Sequence, residues 1–385
     1  MKIIFTGGGS GGHFYPIIAV SRALALLLRK EGLTDIQMYY ISNTPYNKKL
    51  LEQNHLIFKQ NKTGKLRIYF SPLNIFDAIL TFFATIRAFF QLFFIYPDVV
   101  FSKGAYPSFP VTTAAWLLKI PVIIHESDSA PGRANKFASK FAKRIAISYA
   151  ESSSYFPPEK IALTGNPIRS ELLELPQKNV NEVFGLTDNA PIIFITGGSQ
   201  GAQTINDIMI SAGPKLIESY QIIHQVGQKN YINFQATMDV ILQQNQYKNR
   251  YKIFPYLDTN QMNTAGRSAS LIISRGGSSI FEIAIWGVPS IIIPISETNG
   301  DHQCKNAYAY ARIGACHVIN ENNLTPHIFL TEINRICNNK ETVTQMKKAT
   351  QLFAKTDAAK KIAIEILGVL KEHLPTKTES TRNMK

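Results

Sequence analysis

The chain opens with a short apolar run, KIIFT, that leads at once into GGGSGG over residues 7–12 and then His13. Small residues between a strand and a helix let backbone amides and the helix N-terminus come close to a ligand, and they favour anionic or hydroxyl-rich groups. An imidazole in the first helical turn points at that same ligand, and its ordinary pKa suits it to accept a proton near neutral pH. Two further turns of this kind follow strand-like runs. TGGSQGAQTIND carries Ser199 as a hydroxyl donor, and SRGGSSIFE over residues 274–282 ends in Glu282. Glycine turns at strand ends in both halves suit a nucleoside diphosphate held at the helix dipoles of one domain and an acceptor held by the other.

The same glycines are compatible with other chemistry, which neighbouring residues argue against. Gly7, Gly9 and Gly12 satisfy G-x-G-x-x-G, but a dinucleotide site also needs a carboxylate at the end of the second strand to bind a ribose. Here that strand ends in Ile41-Ser42-Asn43, so NAD and FAD are not expected. The Gly-Lys-Ser/Thr of a P-loop is missing, which removes kinase and ATPase readings. There is no Asp-x-Asp to clamp a metal on the diphosphate, and Cys304, Cys316 and Cys337 have neither zinc spacing nor an even count. No metal, no cofactor and a reducing compartment are therefore expected.

The elements that must hold these turns alternate along the chain. KIIFT, IQMYYIS, DVVFSKG, VIIHE and RIAISY read as strands separated by helical segments, and a second series, PIIFITGG, YQIIHQVG, YKIFPYL, SLIISRGG and PSIIIP, repeats the scheme. Strands alternating with helices imply parallel, doubly wound sheets. The second glycine turn begins at Gly197, 190 residues after Gly7, so each half is long enough to be a complete α/β domain. The expected organisation is an N-terminal domain over residues 1–165 and a C-terminal domain over 166–345, the two facing a cleft. A single helix over 346–371 packs back on the first domain, and 372–385 forms a solvated tail.

Forty-one Lys plus Arg against 27 Asp plus Glu leave a net charge of +14, which attracts nucleic acid, anionic lipid or a phosphorylated substrate. The basic residues are scattered and no nucleic-acid module is present, so nucleic acid is not an expected partner. Residues 79–96, ILTFFATIRAFFQLFFIY, are long and apolar enough to raise the question of a membrane span. Arg87 at their centre argues against it, at a cost of about 2.5–3.5 kcal/mol on insertion scales. A helix lying on a bilayer surface fits better, since Lys59, Lys62, Lys65, Arg67, Arg87, Lys136, Lys140, Lys143 and Arg144 place positive charge around the aromatic segment 69–94 and Trp116. The N-terminus reads as strand and turn, without the layout of a signal peptide.

Taken in order, GGGSGGHFYP, HESDSAPGRANKFASKFAKRIAISY, TGNPIR, GGSQGAQTIND, SRGGSSIFE and DHQCKNAYAY resemble the MurG family, the N-acetylglucosaminyltransferases that convert lipid I to lipid II in peptidoglycan synthesis. The resemblance runs over residues 2–325. It implies a GT-B fold, a lipid acceptor on the N-terminal domain and UDP-N-acetylglucosamine on the C-terminal domain, at the cytoplasmic face of the plasma membrane and alongside other cell-wall synthesis proteins. By that resemblance Ser10, Gly11, Gly12 and His13 form the loop at the sugar and acceptor, and Arg169 and Ser199 contact the diphosphate. Leu257 packs against uracil, Glu282 accepts from the ribose, and Gln303 binds the sugar hydroxyls. Tyr106, His125 and Asn135 lie on the acceptor side. Three positions depart from the family pattern. Asp128 of HESD stands where the family usually has an amide that contacts the donor, Ser10 replaces a Thr, and RGGSSIFE is one residue shorter.

Glycosyl transfer to an alcohol needs a base for the attacking hydroxyl and a stabiliser for the departing diphosphate. The residues offer two candidates for the base, His13 in the first glycine turn and Glu126 at the end of VIIHE, with His125 beside it.

Overall fold

The computed structural model describes residues 1–33, 35–65, 71, 73–186, 188–198, 201–295 and 301–372. The chain divides into two compact units: Met1–Arg169 together with the segment that starts at Asp357, and Ser170–Thr356.

In the first unit β1 (Lys2–Thr6), β2 (Gln37–Ser42), β3 (Leu56–Gln60), β4 (Val99–Ser102), β5 (Val122–Glu126), β6 (Arg144–Ile147) and β7 (Ile161–Leu163) form one parallel sheet in the order β3-β2-β1-β4-β5-β6-β7. The strands are apolar throughout because helices cover both faces. Ile3 and Phe5 point into the layer built by the helices Gly11–Lys30 and Ala358–Lys371, while Ile4 points into the layer that includes Ala88, Leu92 and Val111. The chain winds outward from β1 to β3 and then returns to place β4 on the other side of β1. That reversal leaves an opening beyond the carboxyl ends of β1 and β4, where ligands bind in open α/β sheets.

The second unit repeats the plan. Its strands are β8 (Ile192–Thr196), β9 (Gln221–Gln225), β10 (Tyr251–Phe254), β11 (Leu271–Ser274), β12 (Ser290–Ile292) and β13 (Cys316–Val318), all parallel, in the order β10-β9-β8-β11-β12-β13. Its winding reverses between β8 and β11, where the second and third glycine turns sit.

The single helix expected over 346–371 is two helices, Lys340–Phe353 and Ala358–Lys371. Phe353 stacks on Phe281 in the second unit, whereas Ile362, Ile366 and Leu370 join the core of the first. The chain therefore leaves helical geometry over residues 354–357, with Ala354 extended at ψ 125. The segment 373–385, expected as a tail, lies outside the described residues.

Helix Leu73–Ile95 inverts the usual amphipathic pattern. Its buried positions are the small residues Ala84 and Ala88 with Leu92, while Ile75, Phe76, Phe82, Phe83, Phe90, Phe93 and Phe94 are exposed. Small residues face inward because the helix lies close on the segment 61–64: Asn61 Nδ2 donates to the Ala84 carbonyl at 3.1 Å, and a Cβ on Gly64 would fall 2.3 Å from the Asp77 carbonyl oxygen. Trp116, on the neighbouring helix Ser108–Leu117, is also half exposed and stacks on Phe141.

Candidate active site

The first glycine turn is built by exclusion of side chains. Gly8 has φ +138°, and a Cβ there would lie 2.6 Å from Ser42 Oγ and 2.8 Å from the Tyr40 hydroxyl. Ser10 occupies the N-cap position of the helix Gly11–Lys30, yet its hydroxyl does not cap the helix; Oγ is 3.0 Å from His13 Nδ1 instead. This leaves the amides of Gly11 and Gly12 at the positive end of a 20-residue helix without a side-chain acceptor from the cap. With the proton on Nδ1 donated to Ser10, Nε2 carries the lone pair.

Charged groups gather at the carboxyl ends of β4 and β5 beside this turn. Burial, reinforced by repulsion from Lys103, pushes the half-buried His13 down to about 4, with Asp128 pulling the other way. The ring is thus neutral at physiological pH. Lys103 itself is pushed down to about 8 by burial, against the attraction of Glu126 and Asp128. Glu126 is buried with both carboxylate oxygens engaged: Oε1 accepts from the Asp128 amide at 2.9 Å, and Oε2 accepts from the Gly132 amide at 3.1 Å and Asn135 Nδ2 at 2.9 Å. Burial and the neighbouring Asp128 raise its pKa. A carboxylate saturated in this way fixes the loop after β5 and has little freedom to collect a substrate proton.

Two of the residues expected on the acceptor side are buried. His125 is fully buried, with Nε2 3.1 Å from the Gly165 carbonyl oxygen and 3.1 Å from Ser148 Oγ, so it ties β5 to β6 and to the turn after β7. Asn135 is also buried. It donates to the His125 carbonyl at 3.0 Å as well as to Glu126, and it fills the space a side chain at Gly104 would need. Both side chains are spent on hydrogen bonds within the unit and are almost wholly covered. Tyr106 lies beside Gly9, whose Cβ would fall 3.6 Å from its ring. The Arg169 guanidinium sits over the Tyr15 ring, 4.4 Å from its centroid.

In the second unit the corresponding turn is lined by neutral groups. Thr196 Oγ1 accepts from the Gly198 amide at 3.2 Å, and the buried Gln225 donates to the Gly198 carbonyl at 3.0 Å while accepting from the Leu257 amide at 3.1 Å. Gln225, which sequence reasoning missed, thereby ties the turn after β8 to the loop after β10. Ser199 lies outside the described residues. The Leu257 side chain, expected against uracil, is 1% exposed, and the exposed ring of that loop is Tyr256. Around the third turn, a Cβ on Gly276 would sit 2.2 Å from the Gln303 carbonyl oxygen, and Asn306 Nδ2 donates to the Gly276 carbonyl at 3.1 Å. This close approach sets Gln303 against the turn that starts the helix Ser279–Trp286, in whose first turn Glu282 lies. The Gln303 Oε1 accepts from the Ile295 amide at 3.3 Å.

Lys103 is also absent from the sequence-derived candidates, although it lies in the strand run DVVFSKG. The signal was a charged residue directly after the apolar run DVVFS, at the end of a central strand.

The glycosyltransferase family 28 N-terminal domain profile matches residues 3–147, and that of the family 28 C-terminal domain matches 192–362. Fold and site together define a two-domain glycosyltransferase of that family. A UDP-N-acetylglucosamine–N-acetylmuramyl-(pentapeptide) pyrophosphoryl-undecaprenol N-acetylglucosamine transferase of Bacillus anthracis is 35% identical over 351 residues, covering 90% of this chain and 95% of the relative. The Legionella pneumophila enzyme of the same name is 32% identical, with 98% of each chain covered. The crystal structure of Acinetobacter baumannii MurG superposes with a TM-score of 0.70 at 25% identity, covering 95% of this chain and 99% of that one. A UDP-N-acetylglucosamine 2-epimerase structure from Listeria monocytogenes, at 16% identity and a TM-score of 0.71, shares the fold alone. The chain belongs to the MurG family of glycosyltransferases.

Proposed function

We propose that this chain transfers N-acetylglucosamine from UDP-N-acetylglucosamine to the 4-hydroxyl of N-acetylmuramic acid in undecaprenyl-pyrophosphoryl-N-acetylmuramyl-pentapeptide, forming lipid II. The observation that carries this reading is the match, over at least nine-tenths of the chain, to relatives bearing this one activity. The unit rich in titratable groups takes the acceptor, and the unit with neutral turns takes the nucleotide sugar. His13 is the base. Its neutral ring takes the proton of the acceptor 4-hydroxyl as that oxygen bonds to the anomeric carbon, and the bond from carbon to the diphosphate oxygen breaks with its electron pair leaving on UDP. Attack from the face opposite the leaving group inverts the α-linked donor to a β-1,4 product. Backbone amides of the glycine turns, Ser199 and Arg169 stabilise the developing charge on UDP. Asp128, beside His13, steadies the imidazolium that forms.

The reading also includes peripheral binding at the cytoplasmic face of the membrane. The outward aromatic face of Leu73–Ile95 with Trp116 enters the lipid boundary, and Lys59, Lys62, Lys65, Arg87, Lys136 and Lys140 lie over anionic headgroups. Lys143 and Arg144 contribute less, since they pair with Glu372 and Glu365. Arg67 lies outside the described residues. Sedimentation with anionic liposomes is expected to fall sharply when Phe82 and Phe83 become Ser; unchanged binding by the folded variant removes this helix from the contact.

Activity is tested by transfer of labelled N-acetylglucosamine to a short-chain lipid I analogue in the presence of EDTA, comparing wild type with His13→Ala and Glu282→Ala. Product in the wild type and its loss in both variants support the assignment. Absence of product while UDP-N-acetylglucosamine still binds keeps the donor and points to another acceptor.

A further inference from the structure

Lys103 follows β4 directly and precedes Gly104, which turns the chain at φ +85°. Its side chain is 1% exposed, and its Nζ has no hydrogen-bond partner among the described residues. A buried ammonium without a partner is costly, so a site that keeps one calls for a reason. Glu126, one of the two carboxylates that act on Lys103, spends its oxygens on the amides of Asp128 and Gly132 and on Asn135. The stem of Lys103 packs against the glycine turn that leads into the helix of His13, where a Cβ on Gly7 would fall 3.0 Å from the Lys103 Cβ.

The charged groups that act on His13 or on Lys103 come from separate elements: His13 from the first turn of Gly11–Lys30, Lys103 from the end of β4, Asp128 and Glu126 from the end of β5 and its loop, and His125 from within β5. The phenols Tyr15, Tyr40, Tyr46 and Tyr106 and the Arg169 guanidinium over Tyr15 also lie around the turn. Two of these act on the ring in opposite senses: Asp128 favours the protonated ring, and Lys103 opposes it. Removing the lysine leaves the carboxylate unopposed.

We propose that Lys103 is a positioning residue of the transfer reaction, whose buried ammonium keeps the His13 ring unprotonated, with Nε2 open to the attacking hydroxyl, and drives the proton off again once the glycosidic bond has formed. This rests on His13 acting as the base. Lys103 itself touches neither substrate nor the reacting atoms.

The test is the pH profile of kcat/KM for wild type, Lys103→Met, Lys103→Arg and His13→Ala, with thermal melts to confirm folding. Lys103→Met is expected to move the midpoint of the acid limb upward by about one pH unit, and Lys103→Arg to restore it. A folded Lys103→Met enzyme whose acid limb stays at the wild-type position overturns the proposal. Should Lys103→Met not fold, nitrogen NMR titration of His13 in the wild type and in Lys103→Gln decides: a higher midpoint in the variant is expected, and an unchanged one overturns the proposal. A His13→Ala enzyme that keeps both its rate and its acid limb strikes down the base assignment itself. Loss of activity in His13→Ala with an unmoved limb in Lys103→Met strikes down Lys103 alone.

Discussion

The two glycine turns at the ends of β1 and β8 occupy equivalent places in equivalent sheets, yet their surroundings differ in kind. The first has His13, Lys103, Glu126 and Asp128 about it, all half-buried or fully buried. The second has Thr196, Gln225, Asn206 and, across the reversal point, Ser274 and Ser279, whose hydroxyls lie 3.0 Å apart. Arg275, the cation nearest the third turn, is already paired with Glu321 at 2.6 Å. Titratable groups at low exposure are suited to moving a proton, and fixed neutral dipoles to holding an anion without exchanging one. One scaffold thus serves two tasks by changing what fills the strand ends, while the winding stays the same.

The difference can be broken most directly at His13. His13→Ala is expected to lower kcat/KM by about 10²- to 10⁴-fold with little change in the KM for UDP-N-acetylglucosamine, whereas Thr196→Val should act chiefly on that KM. Equal effects on kcat from both would abolish the division of labour.

Geometry in the second unit gives the next largest effect. Gly201 has φ +77°, and a Cβ there would lie 2.3 Å from the Val226 carbonyl oxygen, so Gly201→Ala is expected to cost about 3 kcal/mol or more in denaturant unfolding and to weaken nucleotide binding. Gly277 has no atom within 4 Å of such a Cβ, and Gly277→Ala should stay within about 0.5 kcal/mol of wild type.

Glu126→Gln sharpens the assignment within the first unit. It places an amide against donors and should cost about 1–3 kcal/mol of stability, with a loss of activity smaller than that of His13→Ala. Activity lost as completely as in His13→Ala, in a variant as stable as wild type, would make Glu126 the base.

The smallest effect is on stability in mild acid. His13, His125 and His224 are buried neutral, with His13 pushed down to about 4 and His224 to about 3. The unfolded chain therefore binds protons that the folded chain refuses, so their contribution is complete above about pH 6.5 and is lost as pH falls toward 4. The Tm should drop over that window, and His224→Phe should flatten the slope, since Nδ1 meets the Tyr251 hydroxyl at 2.9 Å and Nε2 has no hydrogen-bond partner among the described residues.

Much of this was legible in the residues themselves. Glycine runs after apolar strands announced the turns, because only a residue without Cβ fits where Gly8 meets Ser42 and Tyr40, or where Gly201 meets Val226. Alternating strand and helix patterns announced two parallel sheets, because parallel strands need helical crossovers and coverage on both faces. What the sequence could not decide was which side of each residue would be covered. Leu257 reads as an apolar platform and is interior; His125 and Asn135 read as contact residues and are braces. Lys103 reads as an ordinary cation and is enclosed, whereas the aromatic run 79–96, expected at a surface, does turn most of its rings outward over Ala84 and Ala88. Burial is a property of neighbours far apart in the chain, as is the break at residues 354–357 between two helices that serve different cores. A local pattern fixes where a turn can form, but only the packed structure sets the desolvation and charge that hold the His13 ring neutral and the hydrogen bonds that engage both oxygens of Glu126.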